Sequence, residues 1–194
     1  MEARETQPRK NLQSSLTVIF VIISAIAVMI ALSLKKYGST PKPVSQTSIQ
    51  VGSPAPDFTF PDLNGKLVRL SDHRGMVVLV NIWATWCPPC VDEMPSMQKL
   101  YNRLKGENFE MLTVSIDSTG REAVVPFIRE LNLTFPTLLD PDGKIWRLYG
   151  LTGVPESFVV DKEGILVEKI IGPRDWASPE VLRFFQDLIE KERS

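Results

Sequence analysis

The chain has 194 residues, with 22 Lys+Arg against 23 Asp+Glu, one His and two Cys. Charge is divided unevenly: residues 1–50 carry six basic and two acidic residues, residues 51–194 sixteen and twenty-one. A mildly acidic main body argues against nucleic acid as a partner, two cysteines cannot make a disulfide scaffold, and one histidine argues against a His-rich metal centre.

Leu16 to Leu34 holds no charge, Gly or Pro over 19 positions. At 1.5 Å per residue such a run just crosses a hydrocarbon core of about 30 Å, and a backbone in lipid must be helical there. A cleaved signal peptide is the rival reading, but the run is longer than the usual apolar region and no A-x-A site follows it. The sequence therefore predicts a tail over 1–15, an uncleaved single-pass transmembrane anchor over 16–34, a Pro-containing linker over 35–50 and one domain over 51–194. Arg4, Arg9 and Lys10 on one side face Lys35, Lys36 and Lys42 on the other, which leaves orientation undecided by flanking charge.

In the domain, Phe58 to Phe60 and Leu67 to Leu70 read as strands around a Leu63–Lys66 turn, Asn-Gly being a strong hairpin signal. Met76 to Trp83 is apolar on both faces, as in a central strand covered on both sides. After Cys87, the residues Cys90, Met94, Met97, Tyr101 and Leu104 form a helical stripe, with Pro95 expected to kink it. Phe109 to Ile116 reads as a second covered strand, Arg121 to Leu131 as a helix, Thr137 to Leu139 as a short strand and Lys144 to Tyr149 as a helical turn. Ser157 to Val160 and Ile165 to Ile171 read as an antiparallel pair. Ser178, with Pro179 just inside, caps a closing helix to about Glu192. The expected class is α/β, a mixed sheet flanked by helices.

Both cysteines lie in Trp86-Cys87-Pro88-Pro89-Cys90, between the central strand and the start of the helix. A helix N-terminus favours the thiolate, which is the attacking species in disulfide exchange. Two intervening residues let the second sulfur close a small ring, so the pair can hold a transferable disulfide. Half a zinc site is not completed by other ligands in the chain. Cys87 and Cys90 with Met94 and Met97 could form a copper(I) site of soft ligands, although the methionines also fit a core stripe. A peptide-binding module whose cysteines only stabilise the fold is a further alternative.

Val80-Asn81-Ile82-Trp83-Ala84-Thr85-Trp86-Cys87-Pro88-Pro89-Cys90, followed by Gly153-Val154-Pro155-Glu156-Ser157-Phe158, resembles the thioredoxin superfamily. Within it, the Pro54-Ala55-Pro56-Asp57-Phe58 entry and the added N-terminal hairpin resemble the membrane-tethered extracytoplasmic thiol–disulfide oxidoreductases, including the cytochrome c maturation thioredoxins. The resemblance implies a thioredoxin-like fold and a redox-active Cys87–Cys90 pair, with Cys87 the exposed nucleophile and Cys90 the resolving thiol. It implies a cis Pro155 that offers the backbone of Val154 to an extended substrate, Glu156 as a substrate-selecting acid and Trp86 as a partly exposed contact. Thioredoxins typically carry a buried acid where this chain has Asn81, and Glu93 is the residue expected to manage protons in its place. The implied partners are disulfide-containing proteins such as apocytochrome c and a membrane thiol donor. The domain is expected outside the cytoplasmic membrane, with neither cofactor nor resident metal. A thiol peroxidase of the same fold is the rival enzyme, but Ala84 occupies the position where its T-x-x-C context needs threonine.

Overall fold

The structure, a computed structural model, describes residues 10–37 and 49–191. The chain divides after Gln46 into two units. The first contains α1 (Lys10–Tyr37), whose described side chains, over 18–33, are exposed. Among the described residues no helix is long and apolar enough to cross a membrane. The span expected over 16–34 is thus not found among the described residues, and most of the expected tail and linker lies outside them.

The second unit is built on β3 (Val77–Trp83), which is buried at every position. It pairs in parallel with β4 (Phe109–Ser115) and antiparallel with β6 (Glu156–Val160). β5 (Thr137–Leu139) extends the sheet beyond β4 and β7 (Leu166–Ile171) beyond β6, giving the order β5-β4-β3-β6-β7. β1 (Thr59–Pro61) and β2 (Leu67–Arg69) form a separate antiparallel pair. The helices are α2 (Pro88–Leu104), α3 (Arg121–Glu130), α4 (Lys144–Tyr149) and α5 (Pro179–Glu190), with a 3-10 turn at Leu70–His73.

Side chains alternate across a strand, so β3 feeds two cores. Val77, Leu79 and Trp83 join the cluster containing Met94, Met97 and Leu100 of α2 and Phe185 of α5. Val78, Val80 and Ile82 join the other, with Phe58, Phe60 and Tyr149. Asn81 has the parity of Leu79 and Trp83, which directs this buried amide toward α2. That placement is the basis of the site.

Several local expectations are adjusted. The β1–β2 turn falls over Leu63–Lys66 as expected, and Asp62 just before it closes the loop, its Oδ1 accepting the amides of Asn64 and Lys66 across Gly65 (φ 85°). α2 continues through Pro95, and Leu100 takes the fully buried place while Tyr101 is half-buried. Strand β6 starts one residue early, at Glu156. Ser178 caps α5 as expected, its Oγ accepting the Val181 amide at 3.3 Å. The helix ends at Glu190, two residues before the expected Glu192, with the Lys191 amide donating to Asp187 O at 3.1 Å.

Candidate active site

Cys87 is the N-cap of α2, and Pro88 and Pro89 fill its first positions. A proline there loses nothing, because the first amides of a helix have no internal acceptor. Neither ring carries an N–H, so the first free amide is that of Cys90, and it points 3.3 Å from Cys87 Sγ. The Pro-Pro insert thus aims the helix's first donor at one sulfur. Cys87 and Cys90 are joined in a disulfide, with S–S 2.09 Å. Cys87 is not an open thiol as expected: it is only 4% exposed, against 0% for Cys90. Trp86 is the exposed element beside it, at 63%.

The sulfurs face the loop before β6. The Val154–Pro155 peptide is cis, and Val154 O lies 3.5 Å from Cys87 Sγ. The far side of this loop is tied to β7's end by Gly172 N, which donates to Pro155 O at 2.9 Å. Cys87, Val154 and Pro155 are therefore brought together.

Glu156 is placed differently from the expectation of a substrate-facing acid. It is fully buried. Its Oε1 accepts from Thr152 N (2.7 Å), Thr152 Oγ1 (2.5 Å) and Gly153 N (3.2 Å). Oε2 forms an ion pair with Lys169 Nζ at 3.0 Å. Burial pushes its carboxyl up, but the Thr152 hydrogen bonds and Lys169 outweigh burial and hold it below the usual carboxylate value. Because both oxygens are engaged inside the protein, Glu156 cannot greet a substrate directly.

On the other side of Cys90, Glu93 is buried at the end of the Asn81 amide. Asn81 Nδ2 donates to Glu93 Oε1 and to Ser157 Oγ, each at 2.9 Å. Glu93 Oε2 accepts from Trp176 Nε1 at 2.9 Å and from Arg174 N at 3.1 Å. Burial pushes the Glu93 carboxyl above its ordinary value near 4.5, and the three hydrogen bonds only partly counter it. An open groove of about 340 Å³ beside this acid is lined by Asp92, Glu93, Ser96, Pro173, Arg174 and Asp175. Met94 and Met97, the thioethers of the copper(I) alternative, are packed in the core cluster around α2.

Sequence reasoning missed a further buried acid beside this segment. Asp117, after β4, accepts from Thr85 N at 3.0 Å, Thr85 Oγ1 at 2.6 Å and Ser115 Oγ at 2.7 Å. It anchors the segment that carries Trp86 and Cys87. Asp117→Ala leaves the Thr85 amide without that acceptor, at a cost of about 1–3 kcal/mol. The urea midpoint of the oxidised protein should fall accordingly, and an unchanged midpoint would show that the anchor contributes nothing. Trp176 and Arg174 were also missed; a lone Trp in a polar loop before a helix cap was the available signal.

Comparison with known proteins agrees with this geometry. Residues 51–169 match the model of the AhpC/TSA family. The thiol-disulfide oxidoreductase ResA of Bacillus cereus is 42% identical over 124 residues, covering 64% of this chain and 71% of that protein. The solution structure of a thiol:disulfide interchange protein from a Bacteroides species is similar with TM-score 0.65 at 30% identity, covering 75% of this chain and 93% of that one. The thioredoxin domain of a thiol-disulfide oxidoreductase from Bacteroides vulgatus gives TM-score 0.64 at 29% identity, covering 74% and 100%.

Proposed function

We propose, for a chain that belongs to the AhpC/TSA family of thioredoxin-like proteins and is a thiol–disulfide oxidoreductase, that it is a membrane-anchored reductant of extracytoplasmic protein disulfides. The observation that carries this reading is the Cys87–Cys90 disulfide set against the cis Val154–Pro155 loop. In the reduced protein, the Cys87 thiolate attacks one sulfur of a substrate disulfide. A Cys87–substrate bond forms, and the other substrate sulfur leaves as a thiolate that takes up a proton. Cys90 then loses its proton and attacks Cys87 Sγ, which releases the second substrate thiol and regenerates the Cys87–Cys90 disulfide. Two electrons pass from protein to substrate.

Each neighbour has a part in these steps. The Cys90 amide beside Cys87 Sγ stabilises negative charge on the nucleophile. Glu93, on the turn after Cys90, takes and returns the protons. Val154 offers its backbone to an extended substrate beside the sulfurs, and Trp86 provides an exposed apolar wall.

The charge-free run over 16–34 supports an anchor in the cytoplasmic membrane, and a dedicated exchange protein fits an oxidising compartment outside it. The C-x-x-C-H sites of apocytochrome c must be reduced before haem attachment, which makes apocytochrome c the proposed substrate and a membrane thiol the proposed donor. The test is the equilibrium potential of the Cys87–Cys90 pair in graded thiol–disulfide buffers. A value near or below about −230 mV is expected for a reductant, whereas one near about −120 mV would mark an oxidant and overturn the apocytochrome reading.

A further inference from the structure

We propose that Glu156 is a positioning residue for the substrate-docking loop, acting on the backbone of Thr152 to Val154 rather than on the substrate. This rests on the reading that an extended substrate pairs with Val154 beside Cys87. All of the carboxylate's contacts support a latch. Oε1 gathers three donors from two residues, Thr152 N, Thr152 Oγ1 and Gly153 N, within 2.5–3.2 Å. These residues lie three and four positions back, so the side chain folds over the cis peptide and closes a ring around it.

The other end of the latch is fixed. Glu156 is the first residue of β6, in register with Ile82 of β3 and Ile171 of β7. Its Oε2 pairs with Lys169 of β7 at 3.0 Å, and that ammonium sits 5.3 Å over the Phe158 ring. The loop is more open than the strand it precedes, since Thr152 is exposed and Gly153 and Val154 are half-buried. One carboxylate therefore ties Thr152 and Gly153 to the sheet, while Gly172 N holds Pro155 O on the far side, and the Val154 carbonyl between them is the group whose position that carboxylate sets. Glu156 is itself shielded from any partner, which separates positioning from direct recognition.

The experiment separates thiols that use the docking backbone from thiols that do not. In the full chain with Cys90→Ser, Cys87 is converted to its mixed disulfide with thionitrobenzoate. An incoming thiolate attacks Cys87 Sγ, and thionitrobenzoate leaves as a coloured thiolate whose release gives the rate. Two probes are compared: a blocked peptide of about ten residues with one central cysteine, and 2-mercaptoethanol, which has no backbone to pair. Glu156→Ala should slow the peptide about tenfold, as for loss of one hydrogen bond to a charged group, and leave 2-mercaptoethanol within about twofold. Glu156→Gln keeps an acceptor oxygen for Thr152 and Gly153 and should recover most of the peptide rate. Should Glu156→Ala not fold, Thr152→Ala removes one latch donor at an exposed position and should slow the peptide selectively by a smaller factor.

Equal slowing of both probes in these variants, or no slowing of the peptide in any of them, overturns the positioning role. Absence of a peptide preference in the Cys90→Ser parent removes the docking strand itself, and the inference with it. That outcome leaves the disulfide chemistry intact and is distinct from a failed potential measurement.

Discussion

Cys87→Ser is expected to reduce disulfide exchange to the uncatalysed background, whereas Cys90→Ser should complete the first half of the reaction and stop there. The asymmetry follows from where α2 begins. Cys87 sits outside the first turn, with the Cys90 amide 3.3 Å from its sulfur and the Val154 carbonyl on its other side. Cys90 lies inside the helix and is fully buried. A thiol at a helix N-terminus has its pKa lowered from about 8.5 toward 3.5–7.5, while a serine hydroxyl does not ionise near neutral pH. Serine at 87 therefore removes the attacking species altogether. Serine at 90 keeps it but removes the group that resolves the mixed disulfide, so a covalent adduct through Cys87 should accumulate and be visible by mass spectrometry. An adduct formed by Cys87→Ser through Cys90 would reverse the assignment of the two roles.

Much of this site is legible in the sequence, and the part that is not has a common cause. The unbroken apolar run of β3 announces a central strand, and the two cysteines that follow it place the reactive pair at a strand-to-helix junction. Asn81 is the visible irregularity in that run, a polar residue with core parity. Its partner Ser157 is 76 positions away, and Trp176, which completes the Glu93 cluster, is 83 from its acceptor. No periodicity links residues so far apart; only the strand order brings them to one face. Asp117 escaped notice for a related reason, because a carboxylate just beyond a strand looks like a turn residue until the parallel β3–β4 pairing sets it beside Thr85.

Glu156 is the instructive contrast. Its loop donors are only three and four residues distant, yet the sequence does not say whether an acid after a proline turns out to solvent or folds back. The register of β6 between β3 and β7 decides it, by covering both sides of the strand's first residue and placing Lys169 within reach. The apolar stripe of α2 was similarly approximate: Tyr101 has the right spacing but a polar tip, and Leu100 takes the buried place.

Glu93→Gln should lower the rate of exchange by about 10²-fold or more, the usual contribution of a positioned acid–base group, and should flatten its pH profile. The same substitution should change how stability depends on pH, and the sign follows from burial. In the unfolded chain the carboxyl titrates near 4.5, and in the native protein it is raised above that value. Below 4.5 the proton is bound in both states. As pH rises through the interval up to the native value, the unfolded state releases the proton first, so stability falls; above the interval the full cost of the buried charge is present. Glutamine carries no such cost, and the difference in urea midpoint between Glu93→Gln and the parent should move in favour of the variant as pH rises from about 4 toward neutrality. The cluster can accept the amide: Asn81 Oδ1 is buried without a hydrogen bond, and rotation of the Asn81 side chain turns that oxygen toward a donor at position 93. The same rotation would accommodate the protonated acid in the parent, so the neutral form that burial favours is also the one this amide can satisfy. Parallel pH dependences in the two proteins would show that the carboxyl titrates alike in the folded and unfolded chain, and divergence in favour of the parent would show that it is held below its ordinary value; either result would remove a raised Glu93 carboxyl from the proton path.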